Sequence, residues 1–198
     1  MVAKRTPTAL DIKKKKKKWI PILASKEFNN QEIGETFLEE AEHSLGRMIE
    51  VNLMMLTKDP KRQNFNVYFK INEIKNASAF TQLVGYGLQV AQLKKITKKA
   101  KNKIDDSFIY LTKDNAKIVL KLIIITKTLT YKTTLQLIRK FAREFLTGYT
   151  KANTATQIMQ DVISNNLQRD LKNQVKKATP VVACMIKNAE ILDEPKSN

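Results

Sequence analysis

Two stretches of the chain alternate apolar and polar residues with a period of two, and this limits the kind of body it can build. Ile49, Val51, Leu53 and Met55 fall on one side of a segment whose other side carries Glu50 and Asn52. Phe65, Val67, Phe69 and Ile71 alternate in the same way with Asn66, Lys70 and Asn72. Successive side chains of a strand point to opposite faces, so each pattern predicts a half-buried antiparallel strand. The Asp59-Pro60 turn signal joins the two into one unit, through a basic loop with Lys58, Lys61 and Arg62. A further short strand is predicted over residues 78–84, ended by Gly85-Tyr86-Gly87.

The period then changes. Leu88, Ala91, Ile96, Ala100 and Ile104, with Leu93 beside them, recur at roughly helical spacing and predict an amphipathic helix. Strands are predicted over 107–112 and 117–126, joined by a tight hairpin at Lys113-Asp114-Asn115, because Asp and Asn tolerate the left-handed conformation. The second of these is apolar on one face (Ile118, Leu120, Leu122, Ile124) and mixed on the other (Val119, Ile123 and Ile125 with Lys117 and Lys121), which predicts a central position. From Thr130, the stripe Tyr131, Leu135, Ile138, Ala142, Phe145 and Tyr149 predicts a helix stopped at Gly148. Ile158, Val162 and Ile163 mark a second helix, and Leu167, Leu171 and Val175 a third or its extension. After Ala178-Thr179-Pro180, residues 181–192 read as a last strand. This order predicts an α+β fold with a mostly antiparallel sheet, open or closed into a barrel. Residues 1–18 are expected as a flexible, disordered basic N-terminal arm, residues 19–193 as one α+β domain, and residues 194–198 as a frayed end.

Charge decides the partner class. The chain has 36 Lys+Arg against 19 Asp+Glu, a formal net charge of +17. Residues 1–18 hold eight basic side chains and one acid, Asp11, and end in the run Lys13, Lys14, Lys15, Lys16, Lys17 and Lys18. A second block, Lys94, Lys95, Lys98, Lys99, Lys101 and Lys103, has no acid and falls on the outer surface of the predicted basic helix. Seven acids gather in residues 27–50. Such a surplus calls for a polyanion. Two separate, nearly acid-free runs favour nucleic acid, and the basic helix lacks the bulky aromatics of a membrane-surface helix. Trp19, the one tryptophan, has two readings directly after the lysines: it anchors the arm to the core, or it stacks on a base.

Reactive chemistry finds little footing. One cysteine excludes an internal disulfide, a redox pair and a cysteine-built zinc site, and one histidine excludes a His-rich metal centre. His43 reads as a surface residue among acids, and Cys184 as a small core residue within an apolar strand. Asp105 and Asp106 are neighbours, so in a strand they point to opposite faces; they read as helix-end and turn chemistry. Gly85 and Gly87 form a lone pair without the rest of a phosphate loop. No catalytic residue, metal, cofactor or small-molecule substrate is expected. The apolar runs are far shorter than the ~20 residues of a membrane span.

Several blocks resemble a known family. Lys17-Lys18-Trp19 followed by Ile20, Ile22 and Ala24 resembles the N-terminal motif of the archaeal and eukaryotic small-subunit ribosomal proteins called S-one-e or S-three-a-e. Ile33-Gly34-Glu35-Thr36 matches that family's IGET block, and Gly46-Arg47, Glu50-Val51-Asn52-Leu53, Leu56-Thr57 and Asp59 match the next. Thr112-Lys113-Asp114 matches its hairpin, with Asn115 in place of glycine. Spacing and length are similar to an archaeal-type member over essentially the whole chain. The chain departs from the family at residues 88–99, which lack a Thr-Arg-Asp opening, and at residues 178–187, which lack an arginine-rich run. Lysine supplies charge there without the planar fork of arginine, so bidentate contacts do not carry over.

The resemblance implies a diverged member with a β-barrel-like body flanked by helices, bound to small-subunit rRNA near the platform and messenger exit. Neighbouring small-subunit ribosomal proteins are the implied protein partners, and the cytoplasm the implied location. The cations expected at the rRNA are those of the arm with Trp19, the second lysine block, and Arg47, Lys61 and Arg62. The alternative reading is an extraribosomal RNA- or DNA-binding protein; a third, an RNA-modifying enzyme, would need clustered carboxylates or a cofactor loop.

Overall fold

The computed structural model describes residues 17–39, 41–75, 78–97 and 101–192. Eight strands form one sheet among them: β1 (Lys18–Leu23), β2 (Glu32–Leu38), β3 (Met48–Asn52), β4 (Phe65–Lys75), β5 (Ser78–Leu88), β6 (Lys103–Leu111), β7 (Lys117–Thr126) and β8 (Val181–Ile191). The helices are α1 (Leu53–Thr57), α2 (Val90–Ile96), α3 (Lys132–Ala152), α4 (Ala155–Ser164) and α5 (Asn166–Val175). The strand order is β2-β1-β5-β8-β7-β6, with β4 and then β3 paired along β5 as a side branch. Every pair is antiparallel except β1 with β5. The sheet stays open: β2, β3 and β6 each have a single neighbour among the described strands.

β7 is central, as its two apolar faces predict. Ile118, Leu120, Leu122 and Ile124 are buried in the main core with Ile138, Ala142 and Leu146 of α3, Ile158, Met159 and Val162 of α4, and Leu167, Leu171 and Val175 of α5. Val119, Ile123 and Ile125, on the other face, are buried as well. A second cluster packs Ile20 and Ile22 of β1 against Ile71 and Ala79.

Four local expectations are corrected. The alternation from Ile49 to Met55 breaks at Asn52, whose side chain accepts the Met54 N–H at 2.9 Å and caps α1; Met55 then stands 62% exposed. Gly85 and Gly87 do not end β5 but lie within it. The Tyr68 ring crosses them, and a Cβ at Gly87 would come within 3.1 Å of that ring. The helix expected from Leu88 to Ile104 shrinks to α2. Leu88 ends β5 and Ile104 is buried in β6, so the helical spacing came from two inward-facing strand ends, and no residue of α2 is buried. Gly148 does not stop α3, which runs on to Ala152; Thr154 then opens α4 with a capping box. Residues 166–175 form a separate third helix, set off by Asn165 at φ 64°.

β2, inside the acidic stretch, had no signal of its own. It is an edge strand whose Glu32 and Glu35 face solvent, which suits a free edge.

The β6–β7 hairpin turns at Asn115, where φ is 59°. An Asn115→Val variant is expected to lose about 1–2 kcal/mol in urea unfolding, and Asn115→Gly to lose none, because only glycine adopts this conformation at no steric cost. Cys184 is buried, and burial pushes its thiol up to about 12. The thiolate being the reactive form, Cys184 is expected to resist a thiol-reactive disulfide at neutral pH until denaturant is added, as followed by absorbance.

Candidate nucleic-acid interface

The chain enters the sheet at β1, where Lys17 and Lys18 are exposed. Period-2 geometry sends Ile20 and Ile22 into the second cluster and Trp19 to the opposite face. The core anchor is therefore the isoleucine pair, and the anchoring reading of Trp19 fails. Trp19 instead lies opposite Phe37 of β2, ring centroids 4.8 Å apart, with the two side chains 64% and 48% exposed. Two large aromatic rings thus share an open face directly after the lysine run. Phe37 was missed in the sequence because β2 was missed.

Arg47 joins this end of the molecule. It is exposed, and its guanidinium donates to Thr36 Oγ1 at 3.4 Å, next to Phe37. Its carbonyl accepts the Ile71 N–H at 3.0 Å, which fixes the loop before β3 against β4.

The remaining cations sit elsewhere. Lys61 is exposed on a short turn, Pro60–Arg62, capped by Asp59. Arg62 is in use: its Nε lies 3.6 Å from Asp59, and it donates to the Ile163 carbonyl at 3.3 Å, tying this loop to the end of α4. Lys94 and Lys95 are exposed in the last turn of α2, where the helix dipole favours cations. The Gln89 N–H donates to the Asn64 carbonyl at 2.9 Å, so α2 begins beside the loop that carries Lys61. Lys101 is half-buried, and Lys103 lies 3.0 Å from Asp105. Lys187 approaches the same carboxylate at 3.8 Å, while Asp106 on the other face pairs with Arg139 at 3.2 Å. The two acids do point apart, but from within a strand, not from a turn.

Register sorts the exposed cations into two patches. Phe65 pairs with Leu88 at one end of the β4–β5 hairpin and Lys75 with Ser78 at the other. Lys61, Lys94 and Lys95 lie at the first end; Arg47, bonded to Ile71, lies toward the second with Lys17, Lys18 and Trp19. Eleven strand residues set these ends roughly 30 Å apart. Lys13, Lys14, Lys15, Lys16, Lys98 and Lys99 lie outside the described residues, as do residues 194–198.

A cleft of about 500 Å³ opens where the loop after β1 faces β5 and the start of α4. Ser25 and Glu27 are among its lining residues, while Ser25 Oγ and Glu27 Oε2 themselves are buried without a hydrogen-bond partner, and burial raises the Glu27 carboxyl above its usual range. Sequence reasoning had no route to this cleft, since its walls come from five separate segments of the chain, residues 25–30, 72–75, 80–83, 155–159 and 191. Among the described residues no three His, Cys, Asp or Glu side chains gather as a metal set, and no helix is long and apolar enough to cross a membrane.

Comparison with known proteins agrees with the motif blocks. The chain is 29% identical over 166 residues to the small ribosomal subunit protein eS1 of Nanoarchaeum equitans, covering 84% of each chain. It is 26% identical to the eS1 protein of Archaeoglobus fulgidus, covering 98% of this chain and 93% of the relative. It is also 26% identical to that of Sulfurisphaera tokodaii, covering 95% and 97%. The sequence profile of the Ribosomal S3Ae family matches residues 10–195, so the chain belongs to that family.

Proposed function

We propose that the chain is a structural, non-catalytic constituent of the small ribosomal subunit, and that it works by neutralising rRNA phosphates with lysines at both ends of its β4–β5 hairpin. The observation that carries this reading is family membership along residues 10–195 in a chain of net charge +17. The exposed state of Lys17, Lys18, Arg47, Lys61, Lys94 and Lys95 supports it. The run from Lys13 to Lys16, with Lys98 and Lys99, extends the two patches in sequence; Lys101 and the ion-paired Lys103 and Arg62 contribute less free charge. Each neutralised phosphate releases condensed counterions, so affinity falls steeply with salt. Such contacts read the shape of a folded RNA more than its base sequence.

The resemblance adds a location near the platform and messenger exit, in ribosomes of the cytoplasm. Neighbouring ribosomal proteins complete the environment. The acidic edge strand β2, with Glu32 and Glu35 in solvent, is the side suited to a basic neighbour.

Sedimentation tests the reading: tagged protein is expected to travel with small subunits through a sucrose gradient at low salt. Protein that stays at the top, with equal affinity for duplex DNA and rRNA fragments, would favour an extraribosomal nucleic-acid binder.

Two variants probe the patches. Deleting residues 1–16, which leaves β1 whole, is expected to weaken binding to an rRNA fragment and to flatten the slope of log affinity against log salt. Equal slopes for the intact and shortened proteins would remove the arm from the interface. Charge reversal at Lys94 and Lys95 is expected to lower affinity about tenfold or more while thermal stability stays within a few degrees, because α2 buries no side chain. Fluorescence anisotropy and thermal melts check both outcomes.

A further inference from the structure

Lys101 and Lys103 end the second lysine block, and the fold carries them to a corner where three loops meet. Asn102, between them, holds that corner together. Its carbonyl accepts the Thr126 N–H at 3.1 Å, its own N–H donates to Thr126 Oγ1 at 3.0 Å, and its Oδ1 accepts the Thr130 N–H at 2.7 Å. The start of β6 is thereby fixed against the segment that joins β7 to α3. The Lys127 N–H donates to the Pro180 carbonyl at 3.0 Å, which brings in the segment between α5 and β8.

These contacts gather cations that the sequence scatters. Lys127, Lys132 and Lys176 are exposed and make no ion pair among the described residues. Lys177 is exposed as well, its ammonium donating to Gln174 Oε1 at 2.8 Å, and at most roughly 11 Å of chain separates it from Pro180. Two carboxylates come near. Asp105 lies 3.0 Å from Lys103 and 3.8 Å from Lys187; Glu144 lies 4.0 Å from Lys140 and lines a small cleft with Lys177. The first turn of α3 holds no acid. Positive charge therefore prevails at this corner.

Register joins the corner to the lysines of α2. β8 runs antiparallel to β5 with Asn188 opposite Gly87, so Val181 lies roughly 20 Å beyond the end at which β5 leads into α2. Val181 in turn pairs with Thr126, next to Lys127. The chain between Lys95 and Lys101 covers this gap, and it contains Lys98 and Lys99. The lysines of α2 and those of the corner thus share one end of the sheet.

An aromatic ring stands among them. Tyr131 opens the apolar stripe of α3 in the sequence, yet it is the N-cap residue of that helix, makes no capping bond and is 85% exposed. Its backbone is fixed by the Thr130 bond to Asn102 and by its carbonyl, which accepts the Leu135 N–H at 3.2 Å. An acidic protein segment would satisfy the lysines and leave the ring unpaired. A membrane surface would draw on more apolar side chains than Leu129 and Tyr131. A nucleic-acid strand offers both a row of phosphates and base faces.

We propose that this end of the sheet carries one RNA strand from α2 to the start of α3, with an unpaired base stacked on Tyr131 and phosphates on Lys127, Lys132 and Lys176. The surface extends the first of the two lysine patches and rests on the rRNA-binding reading.

The test uses the full chain with a fluorescent uridine strand of about 12 nucleotides and an RNA duplex of the same length, read by anisotropy across a salt series. Lys127→Gln with Lys132→Gln is expected to reduce the magnitude of the slope of log affinity against log salt by about 1.4 on the single strand. A control pair at the far end of α3, Lys113→Gln with Lys151→Gln, is expected to leave that slope unchanged. Tyr131→Ala is expected to weaken single-strand binding about fivefold or more, with slope, duplex binding and circular dichroism unchanged, and Tyr131→Phe to bind like the wild type. An unchanged slope in the Lys127 and Lys132 variant, or an equal reduction in the control pair, would overturn the proposal while salt-sensitive wild-type binding kept the RNA-binding reading in place. Wild-type protein that binds neither RNA would overturn both. Undiminished single-strand binding by Tyr131→Ala would remove the stacked base and overturn the proposal. Anionic phospholipid vesicles whose binding is lost in these variants while RNA binding is kept would assign the surface to a lipid headgroup and overturn it too.

Discussion

β5 is the strand on which the sheet depends, because three others pair with it. β4 runs along its whole length, β1 joins it at Ala79 and Phe80, and β8 joins it at Gly85 to Gly87. The last junction is crowded. A Cβ at Gly85 would lie 3.2 Å from the Tyr68 ring and 3.4 Å from the Ala189 carbonyl. The absence of side chains at Gly85 and Gly87 lets Tyr68 cross the strand, and Tyr86 between them turns into the core to stack on Phe65 at 5.6 Å. Without that close approach the helix-covered half, β8-β7-β6, would lose its link to the half that carries β1 to β4.

The same branching separates the cations. Because β4 and β5 are long and antiparallel, basic residues in loops at their two ends cannot merge into one patch. Each end then presents a modest group of lysines, and the acids are used nearby to blunt charges that would otherwise crowd the body: Asp105 for Lys103 and Lys187, Asp59 for Arg62, Asp106 for Arg139. Exposed pairs of this kind add little stability, and their main effect is to decide which cations stay free.

What the sequence made legible follows burial. β4 and β7 announced themselves because one or both faces are buried, which forces a period of two; α4 and α5 did so because each packs one stripe. β2 gave no such sign, since an edge strand with a solvated face can carry Glu32, Gly34 and Glu35 in any order. α2 misled for the opposite reason. It buries nothing, and the periodic residues around it belong to strands. The interface was legible as charge and not as place. Lys94 could be counted from the sequence, but its distance from Arg47 depends on β4–β5 register. Phe37 beside Trp19, and the cleft that Ser25 and Met159 both line, follow only from pairing and packing between distant segments.

Thirty of the 36 basic residues are lysine, and this bears on how the protein can be selective. A lysine ammonium is a strongly hydrated point charge on a flexible stem, good for a phosphate and poor for the paired acceptors of a base edge. The two arginines nearest the expected interface are engaged, Arg47 with Thr36 and Arg62 with Asp59 and the α4 terminus. Phosphate contacts alone fix position without reading sequence, so on the proposed reading two lysine groups some tens of ångströms apart would measure only the spacing of RNA backbones. Discrimination beyond shape therefore falls to groups that are rigid, desolvated and directional. On the proposed rRNA-binding reading, the aromatic face of Trp19 and Phe37 is a feature of this kind beside the described lysines, held by the pairing of β1 with β2.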